Sequence, residues 1–599
     1  MFCTLMVFLF SPVPLWSQSA GGSISGYVYD ATGAVVPDTT VRATNTDTGL
    51  SRTVKSDNRG YYLVAPLPVG AYDVVFTHDG FAELRRTGVY VEVGQSAALD
   101  ARLKVGGAQE TVVVTEATPL IEVGKTGAES VIVDTEIREL PLNNRNWNDL
   151  AVLLPGVSAD AEFDSVNTVS INGQEGAFNN IQVDGVDNNN TFFAELRGRG
   201  RAPFQYSQEA VQEFRILNTA YLAEHGRSAG GVVNAVTKSG TNEWHGSGFW
   251  YIRDNALNAA PFFAKEQGLG KPEGRRQQFG GTIGGPLKRD KLFLFFSYDQ
   301  QVRRDPVAIV FDAQTDFELN FDPRDVLNTT TNFSTNSNTF FDTVDGGGNV
   351  VLNFAVVSAF ERDVVQQAFL NWAFARAYFL GDTSFLDQTF TIAGTNVTTI
   401  NPFPGRQFFS VPRIGDRNPN QITFFPKITW IIGPNHNLSA QWNYQDFESG
   451  PNGIETQASQ DENQSASGPE KNRSDAVVAN LNSVFGPRWV NEFRFQYVRD
   501  DADTGANALG LPEIDIALFD LGGRGSLPRF THEDKWQWQN NTSWLRGRHQ
   551  VKFGADVVLT YDDNFFPGDF NGVYDIDGPG HWMELSRAFI ALTNPVAGR

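Results

Sequence analysis

The last third of the chain alternates strictly between apolar and polar positions. In "VKFGADVVLTYD", Val551, Phe553, Ala555, Val557, Leu559 and Tyr561 interleave with Lys552, Gly554, Asp556, Val558, Thr560 and Asp562. Period two predicts a strand with one apolar and one mostly polar face. The pattern recurs in four paired runs: "RRQQFGGTIGGPLKRDKLFLFFSYD", "NQITFFPKITWIIGPNHNLSAQWNYQDF", "DAVVANLNSVFGPRWVNEFRFQYV" and "KWQWQNNTSWLRGRHQVKFGADVVLTYD". Each reads as a hairpin with a tight turn on Gly-Pro or Arg-Gly-Arg. Polar stretches of roughly 303–420, 448–473 and 501–530 separate them, so short turns gather at one end and long loops at the other. With a leading strand near Trp244 to Arg253, the pattern predicts about nine strands. Within the first long loop, "VVSAFERDVVQQAFLNWAFARAYFL" (356–380) has helical spacing up to Gly381 and predicts a helix that packs the loop together.

Upstream the periods are shorter. Residues 22–105 alternate strand runs with turn signals about seven times, the signature of a small β-sandwich. The run "GGAQETVVVTEATP" follows, with strand composition in a linker position. In 119–240, "LPLNNRNWNDLAVLLPGV" predicts a short helix capped by Asn144 or Asn146, with Leu150, Leu153 and Leu154 on one face and Pro155-Gly156 as the stop. "QEAVQEFRILNTAYLAEHGRSAGGVVNAVTKSGTN" predicts a helix, a Gly-rich break and a strand. The expected class is mainly β: a transthyretin-like sandwich (22–105), a linker (106–118), an α+β domain (119–240) and part of a transmembrane β-barrel (241–599).

Composition narrows the function. A formal charge of -22 excludes a nucleic-acid partner, which requires a basic footprint. Cys3 is the only cysteine, so no internal disulfide or thiolate metal site can form. "MFCTLMVFLFSPVPLWSQSAGG" reads as a signal peptide (1–20) cleaved before about Gly21, although no Lys or Arg precedes its apolar run. No stretch approaches the ~18–20 apolar residues of a spanning helix, so a membrane would be crossed by strands. Trp250, Tyr251, Tyr298, Trp442, Tyr444, Trp489, Tyr497, Trp536 and Trp544 supply candidate interfacial aromatics. The seven His are scattered, and neither a zinc helix nor a phosphate loop nor a complete calcium loop is found, so the expectation is no enzyme activity, metal or cofactor. Asn172, Asp184 and Asp187 in turn sequences, and Arg197, Arg199 and Arg201 in "RGRGR", are the candidate ligand contacts; turn formation needs no ligand to explain the first three, and a solvated basic loop is the favoured reading of the arginines.

The segment 22–105, with "SISGYVYD", "TGAVVPD", "LPVGAY" and "DGF", resembles the carboxypeptidase regulatory-like domain. Beyond it, "ETVVVTE", "ELPLNNRNWNDLAVLLPGV", "NNIQVDGVDNNN" and "HGRSAGGVVNAVTKSGTNEWHGSGFW" resemble, in that order, the TonB box, the plug and the plug-to-barrel junction of TonB-dependent transporters, in particular Oar-like receptors. The resemblance implies an outer-membrane location, contact with outer-membrane lipid and the barrel-assembly machinery, and import of a ferric chelate or oligosaccharide. It also implies binding of the TonB periplasmic domain at Glu110, Thr111, Val112, Val113, Val114 and Thr115, by β-augmentation. About nine strands against about 22 in plugged transporters, and the ending "TNPVAGR", lead to the expectation of the N-terminal part of a longer receptor. The alternative is a surface adhesin or carbohydrate binder anchored by the barrel.

Overall fold

The computed structural model describes residues 21–106, 111–114, 129–142, 145–159, 169–194, 197, 204–219, 223–259, 271, 274–308, 414–450, 468–486, 488–506, 513–516, 519–522, 526–546, 549–568 and 572–575, with short pieces at 343–344, 350–351, 388–392 and 395–399. The expected signal peptide and the helix expected at 356–380 lie outside the described residues.

The N-terminal region is a two-sheet sandwich. In one sheet β1 (Gly22–Asp30) pairs with β4 (Tyr61–Leu67) on one side and with β7 (Ser96–Ala98) and β8 (Ala101–Leu103) on the other. The second runs β3 (Ser51–Lys55), β2 (Thr40–Asn45), β5 (Gly70–Thr77), β6 (Glu83–Val91), β9 (Thr111–Val114). Alternation in "GAYDVVFT" buries Tyr72, Val74 and Phe76 against Ile24, Val28, Tyr62 and Val64 of the facing sheet. The Tyr62 and Phe76 rings meet edge to face at 5.4 Å, and the Tyr62 hydroxyl donates to Leu99 O at 2.5 Å. The run "VYVEVGQSAALDARL" holds the end of β6 and two further strands: Gly94, at φ 64°, turns the chain, and Leu99-Asp100 separates β7 from β8.

The middle domain has a five-stranded sheet in the order β10 (Glu129–Ile132), β15 (Val211–Leu217), β16 (Val232–Thr237), β13 (Asn180–Val183), β14 (Val186–Asp187), and a ribbon of β11 (Val157–Ala159) and β12 (Val169–Ile171). One α-helix, α1, spans Asp134–Glu139. The expected short helix is a 3-10 turn, Trp147–Leu153, and Asn146 caps it by accepting from Asn148 N. Its apolar face is Trp147, Leu150 and Ala151; the Leu154 N–H closes on Ala151 O and the chain leaves extended, so Leu153 points outward, 58% exposed. The helix expected at "QEAVQEF" is corrected too: after one 3-10 turn, Gln208–Ala210, the residues form β15. β15 is central and buried on both faces, which erases the period-two signal that would have marked it.

The third unit is a large antiparallel sheet: β17 (His245–Asp254), β18 (Arg275–Lys288), β19 (Leu292–Ala308), β25 (Asn420–Gly433), β26 (His436–Ser449), β27 (Glu470–Phe485), β28 (Trp489–Thr504), β31 (Arg529–Arg546) and β32 (His549–Phe565), each paired with the next. The small strand β24 (Ile414–Arg417) pairs antiparallel with the last residues of β19, Asp305 to Ala308. The pairs β20 (Thr343–Val344) with β21 (Val350–Val351) and β22 (Gln388–Ile392) with β23 (Thr395–Thr399), and the trio β29 (Glu513–Ile516), β30 (Phe519–Gly522), β33 (Val573–Asp575), lie between or beyond the long strands. All four expected hairpins are present. One turn is shifted: Gly285-Pro286 lies inside β18 beside a bulge, and the chain reverses at Arg289 to Lys291, where Asp290 has φ 61°.

The expected alternation sorts the faces of the large sheet. Val551, Phe553, Val557, Leu559 and Tyr561 stand on the outer face, exposed, as do Trp250, Trp430 and Trp489. The inner face carries buried polar groups, among them Gln278, Asp299, Lys427, Arg494, Lys535 and Gln537, and the middle domain lies against it. Among the described residues an apolar contact crosses that boundary where Tyr206 packs on Phe425, ring centroids 5.7 Å apart, with Phe295 beside it. The sandwich sits at the short-turn end, where Arg52 donates to Pro434 O and Asn242 N donates to Asp47 O at 2.8 Å.

Phe76→Ala is expected to cost the sandwich about 3–5 kcal/mol. The measurement is amide exchange of β2 and β5 in the whole chain, where protection should fall by roughly two to three orders of magnitude.

Candidate functional site

The hairpin β13–β14 turns through just two residues, Asp184 and Gly185, with φ of 51° and 80°. Both must be left-handed in this turn, which is why the sequence there is Asp-Gly. The turn drives the run Asn179–Asn190 against the large sheet, with every residue in it buried. Asp184 Oδ1 accepts from Thr237 N at 3.0 Å and Oδ2 from Thr237 Oγ1 at 2.6 Å. Lys427 of β25 closes the group, its Nζ 3.4 Å from Asp184 Oδ2, 2.7 Å from Thr237 Oγ1 and 3.2 Å from Thr237 O.

A second cluster surrounds Asp187. Its N–H donates to Gln537 Oε1 at 3.0 Å, and its carboxylate accepts from Asn189 N at 3.0 Å and pairs with Arg227. Lys535 of β31, fully buried, donates to Asn189 O at 2.5 Å and stands 3.8 Å from Asp187 Oδ2. Glu533, on the same strand, accepts from Thr191 N at 2.6 Å. Arg197 forms the third cluster: it is 1% exposed, donates to Asn188 Oδ1, Ser474 Oγ and Asn443 Oδ1 at 3.2, 2.9 and 2.6 Å, and lies 5.8 Å from the Tyr206 ring centroid. Asp184, Asp187 and Arg197 therefore line a buried polar seam between the middle domain and the large sheet. Asn172 is apart from them, exposed at φ 55° in a turn, where its Nδ2 donates to Asn218 O at 2.8 Å. Arg199 and Arg201 lie outside the described residues.

The seam partners Lys427, Lys535, Thr237 and Ser474 were not singled out from sequence. The available signal was a lysine at an inner-face position of an otherwise aromatic strand, as in "TFFPKITW" and "KWQW". Such a charge has to find a partner on the domain facing it.

A different contact joins the sandwich to the middle domain. Just beyond β6, Val93 N donates to Glu213 Oε1 and Val93 O accepts from Arg215 Nη1 at 3.0 Å. Both side chains come from β15 and both are buried. Burial pushes the Glu213 carboxyl up to about 8, with Glu92 adding to the rise and the Val93 N–H and Tyr90 opposing it. Burial likewise brings Arg215 down to about 10.

The Val-rich run forms β9, which lies parallel to β6 in the register Glu83↔Thr111 to Arg86↔Val114 at the edge of the sandwich. Glu110 and Thr115 lie outside the described residues.

Three family descriptions match the chain in succession: Carboxypeptidase regulatory-like domain over 23–104, TonB-dependent Receptor Plug Domain over 123–233, and Outer membrane beta barrel domain over 236–596. The TonB-dependent transporter Oar of Myxococcus xanthus is 33% identical over 291 residues, covering 46% of this chain and 26% of that protein. The ferrienterobactin receptor of Escherichia coli (strain K12) is 29% identical over 199 residues, 31% of this chain and 24% of that one. The outer membrane transporter YddB from Escherichia coli has a solved structure that aligns with 72% of this chain and 48% of its own at 12% identity and a TM-score of 0.45. The matches thus span about a quarter of the curated relatives and about half of the solved transporter.

Lys427→Met strips Asp184 of its buried counter-charge and is expected to lower the opening free energy of β16 by about 3–5 kcal/mol, read as faster exchange of the Thr237 amide. Adding Asp184→Asn should recover part of that loss. At the sandwich contact, Glu213 has a raised pKa in the folded state, so its contribution is full below about 4.5 and is lost as pH rises through about 8. The Val93 amide, corrected for intrinsic exchange, should open more readily at pH 8.5 than at pH 6, and Glu213→Gln should flatten the difference.

Proposed function

The chain belongs to the TonB-dependent receptors of the outer membrane, a family of outer-membrane β-barrel proteins, and from that premise we propose that it takes part in energy-coupled import of a large or scarce solute. The observation that carries the reading is the seam between plug and barrel. Among the described residues the plug meets the barrel through the Tyr206–Phe425–Phe295 contact, through Arg145 over the Phe249 and Tyr251 rings, and through the ion pairs and hydrogen bonds of Asp184, Asp187 and Arg197. Groups of this kind can be satisfied by water once they separate, whereas an apolar core cannot open without a hydrophobic penalty. A plug seated this way is one that an outside pull can shift. Two relatives point to a ferric chelate as the first solute to try, being described as a ferrienterobactin receptor and a probable siderophore receptor; an oligosaccharide is the second.

In this reading the pull enters at residues 110–115. Thr111 to Val114 already have strand geometry, and their backbone would pair with a strand edge of the TonB periplasmic domain. The energy source is the proton-motive force, delivered through that partner.

The test is binding of the purified TonB periplasmic domain to the whole chain in detergent. Val113→Pro removes a backbone donor and should weaken binding at least tenfold. If the unsubstituted chain does not bind, the coupled-import reading fails and the anchored adhesin takes its place.

A further inference from the structure

We propose that the outer face of the sandwich's first sheet is a platform for the glycan strands of the cell wall, built on Tyr27, Tyr29 and Tyr61. The inference rests on the outer-membrane placement of the chain and not on the import reading. β1 alternates, sending Ile24 and Val28 into the core and Tyr27 and Tyr29 to the other side of the sheet. Tyr61 of β4 stands opposite Tyr27, so three rings share one face. The centroids of Tyr27 and Tyr29 are 6.1 Å apart with their planes at 31°, and Tyr61 lies 5.3 Å from Tyr27 at 58°. Tyr27 is 39% exposed. A cross-strand aromatic pair explains Tyr27 with Tyr61 as ordinary sheet stabilisation. That pairing leaves out Tyr29.

The chemistry of the face is amphipathic. An aromatic face takes the C–H side of a pyranose ring, through dispersion and its negative quadrupole. Two rings in a row along a strand suit successive sugars of one chain. Around them the carboxylates are already engaged: Asp100 Oδ1 accepts from Tyr27 N at 2.8 Å, Asp30 closes its own turn by accepting from Thr32 N and Ala34 N, and Asp57 pairs with Arg59 at 2.8 Å. Arg102 is not engaged. It pairs with Tyr29 in the β1–β8 ladder and so stands on the same face, exposed and with no ion pair among the described residues. A guanidinium beside the rings is complementary to a glycan that carries carboxylates, as wall glycan does on its lactyl-linked peptides.

Position selects the occupant. The sandwich meets the barrel with one end: Gly21, Asp47, Arg52 and Pro68 border a cavity shared with Thr237 of the plug and Thr429 of the barrel. From Gly22 at that end, Tyr27 and Tyr29 lie further along β1 by about 17 and 23 Å of strand. The rings are thus at the end remote from the lumen, on the side of the short, periplasmic turns. A solute leaving the barrel meets the opposite end. Beyond the ring-bearing end lies the wall, and the sandwich tethers the barrel to it.

The experiment is co-sedimentation of the full chain, in detergent, with purified peptidoglycan sacculi. The unsubstituted chain should enter the pellet, and Tyr27→Ala with Tyr29→Ala should weaken binding by about tenfold or more. Tyr27→Phe with Tyr29→Phe keeps the rings and should bind like the unsubstituted chain, while exchange of the Val28 amide reports whether each variant keeps the sandwich folded. Arg102→Gln should weaken binding several-fold at low salt and leave it unchanged at ~0.5 M salt, where an exposed charge is screened. Failure of the unsubstituted chain to sediment would overturn the proposal, as would equal binding by the folded double-alanine variant. If that variant does not fold, Arg102→Gln decides, because its exposed side chain holds no ion pair in the sandwich. Chitotriose, a neutral saccharide, should compete poorly with the sacculi. Full competition by it, with Arg102→Gln silent, would show a face for free sugar and overturn the wall assignment.

Discussion

A lysine buried on the inner wall of a sheet must face a carboxylate, and most of this molecule is arranged around two such cases. Lys427 and Lys535 sit on strands whose other faces are aromatic. An unpaired charge there would be far more costly than any single packing contact in the plug. Asp184 and Asp187 answer them because a two-residue turn brings both to the tip of one hairpin. The same run carries Asn189 and Asn190, whose amides satisfy backbone groups around the tip: Asn189 Oδ1 accepts from Ile181 N and its Nδ2 donates to Asn179 O, and Asn190 Oδ1 accepts from Phe193 N. The turn, the asparagines and the wall lysines form one unit.

The outer face follows a different solvent. On β28 the outward residues Trp489 and Tyr497 lie eight positions apart, about 26 Å along the strand at the usual rise, which a barrel tilt of about 35–45° reduces to roughly 20 Å across the membrane, within the ~25 Å apolar band of an outer-membrane barrel. Each end is reinforced from β31, where Trp544 stacks on Trp489 at 5.5 Å and Trp536 tilts against Tyr497 at 5.4 Å. One strand thus carries two aromatic bands on one face and, at Glu492, Arg494 and Gln496, a buried polar row on the other.

Local signals in the sequence were enough to locate what is local. Alternation found the long strands, turn residues found the hairpins, and the cap was narrowed to Asn144 or Asn146, of which the structure uses Asn146, because a cap acts within three residues. Where tertiary burial decides, the reading failed: β15 was taken for a helix because strands buried on both faces show no period two, and Leu153 was assigned to a face that the 3-10 turn does not present. Asp184, Asp187 and Arg197 were noticed as chemistry, but their barrel partners Lys427, Lys535, Ser474 and Asn443 lie some hundreds of positions away, and nothing in a linear pattern encodes that pairing. The docking of β9 on β6 was equally hidden, since a strand composition does not say which edge it will join.

Three of the contacts that seat the sandwich share a trait: one side of each is a peptide group. Arg52 meets the carbonyl of Pro434, the Asp47 carbonyl meets the amide of Asn242, and Glu213 with Arg215 grip both backbone groups of Val93. Peptide groups are the same whatever side chain they bear. Substitution at Asp47, Val93 or Asn242 leaves the recognised backbone atoms in place, so the contacts depend on the side chains of Arg52, Glu213 and Arg215 and not on those of the residues they meet.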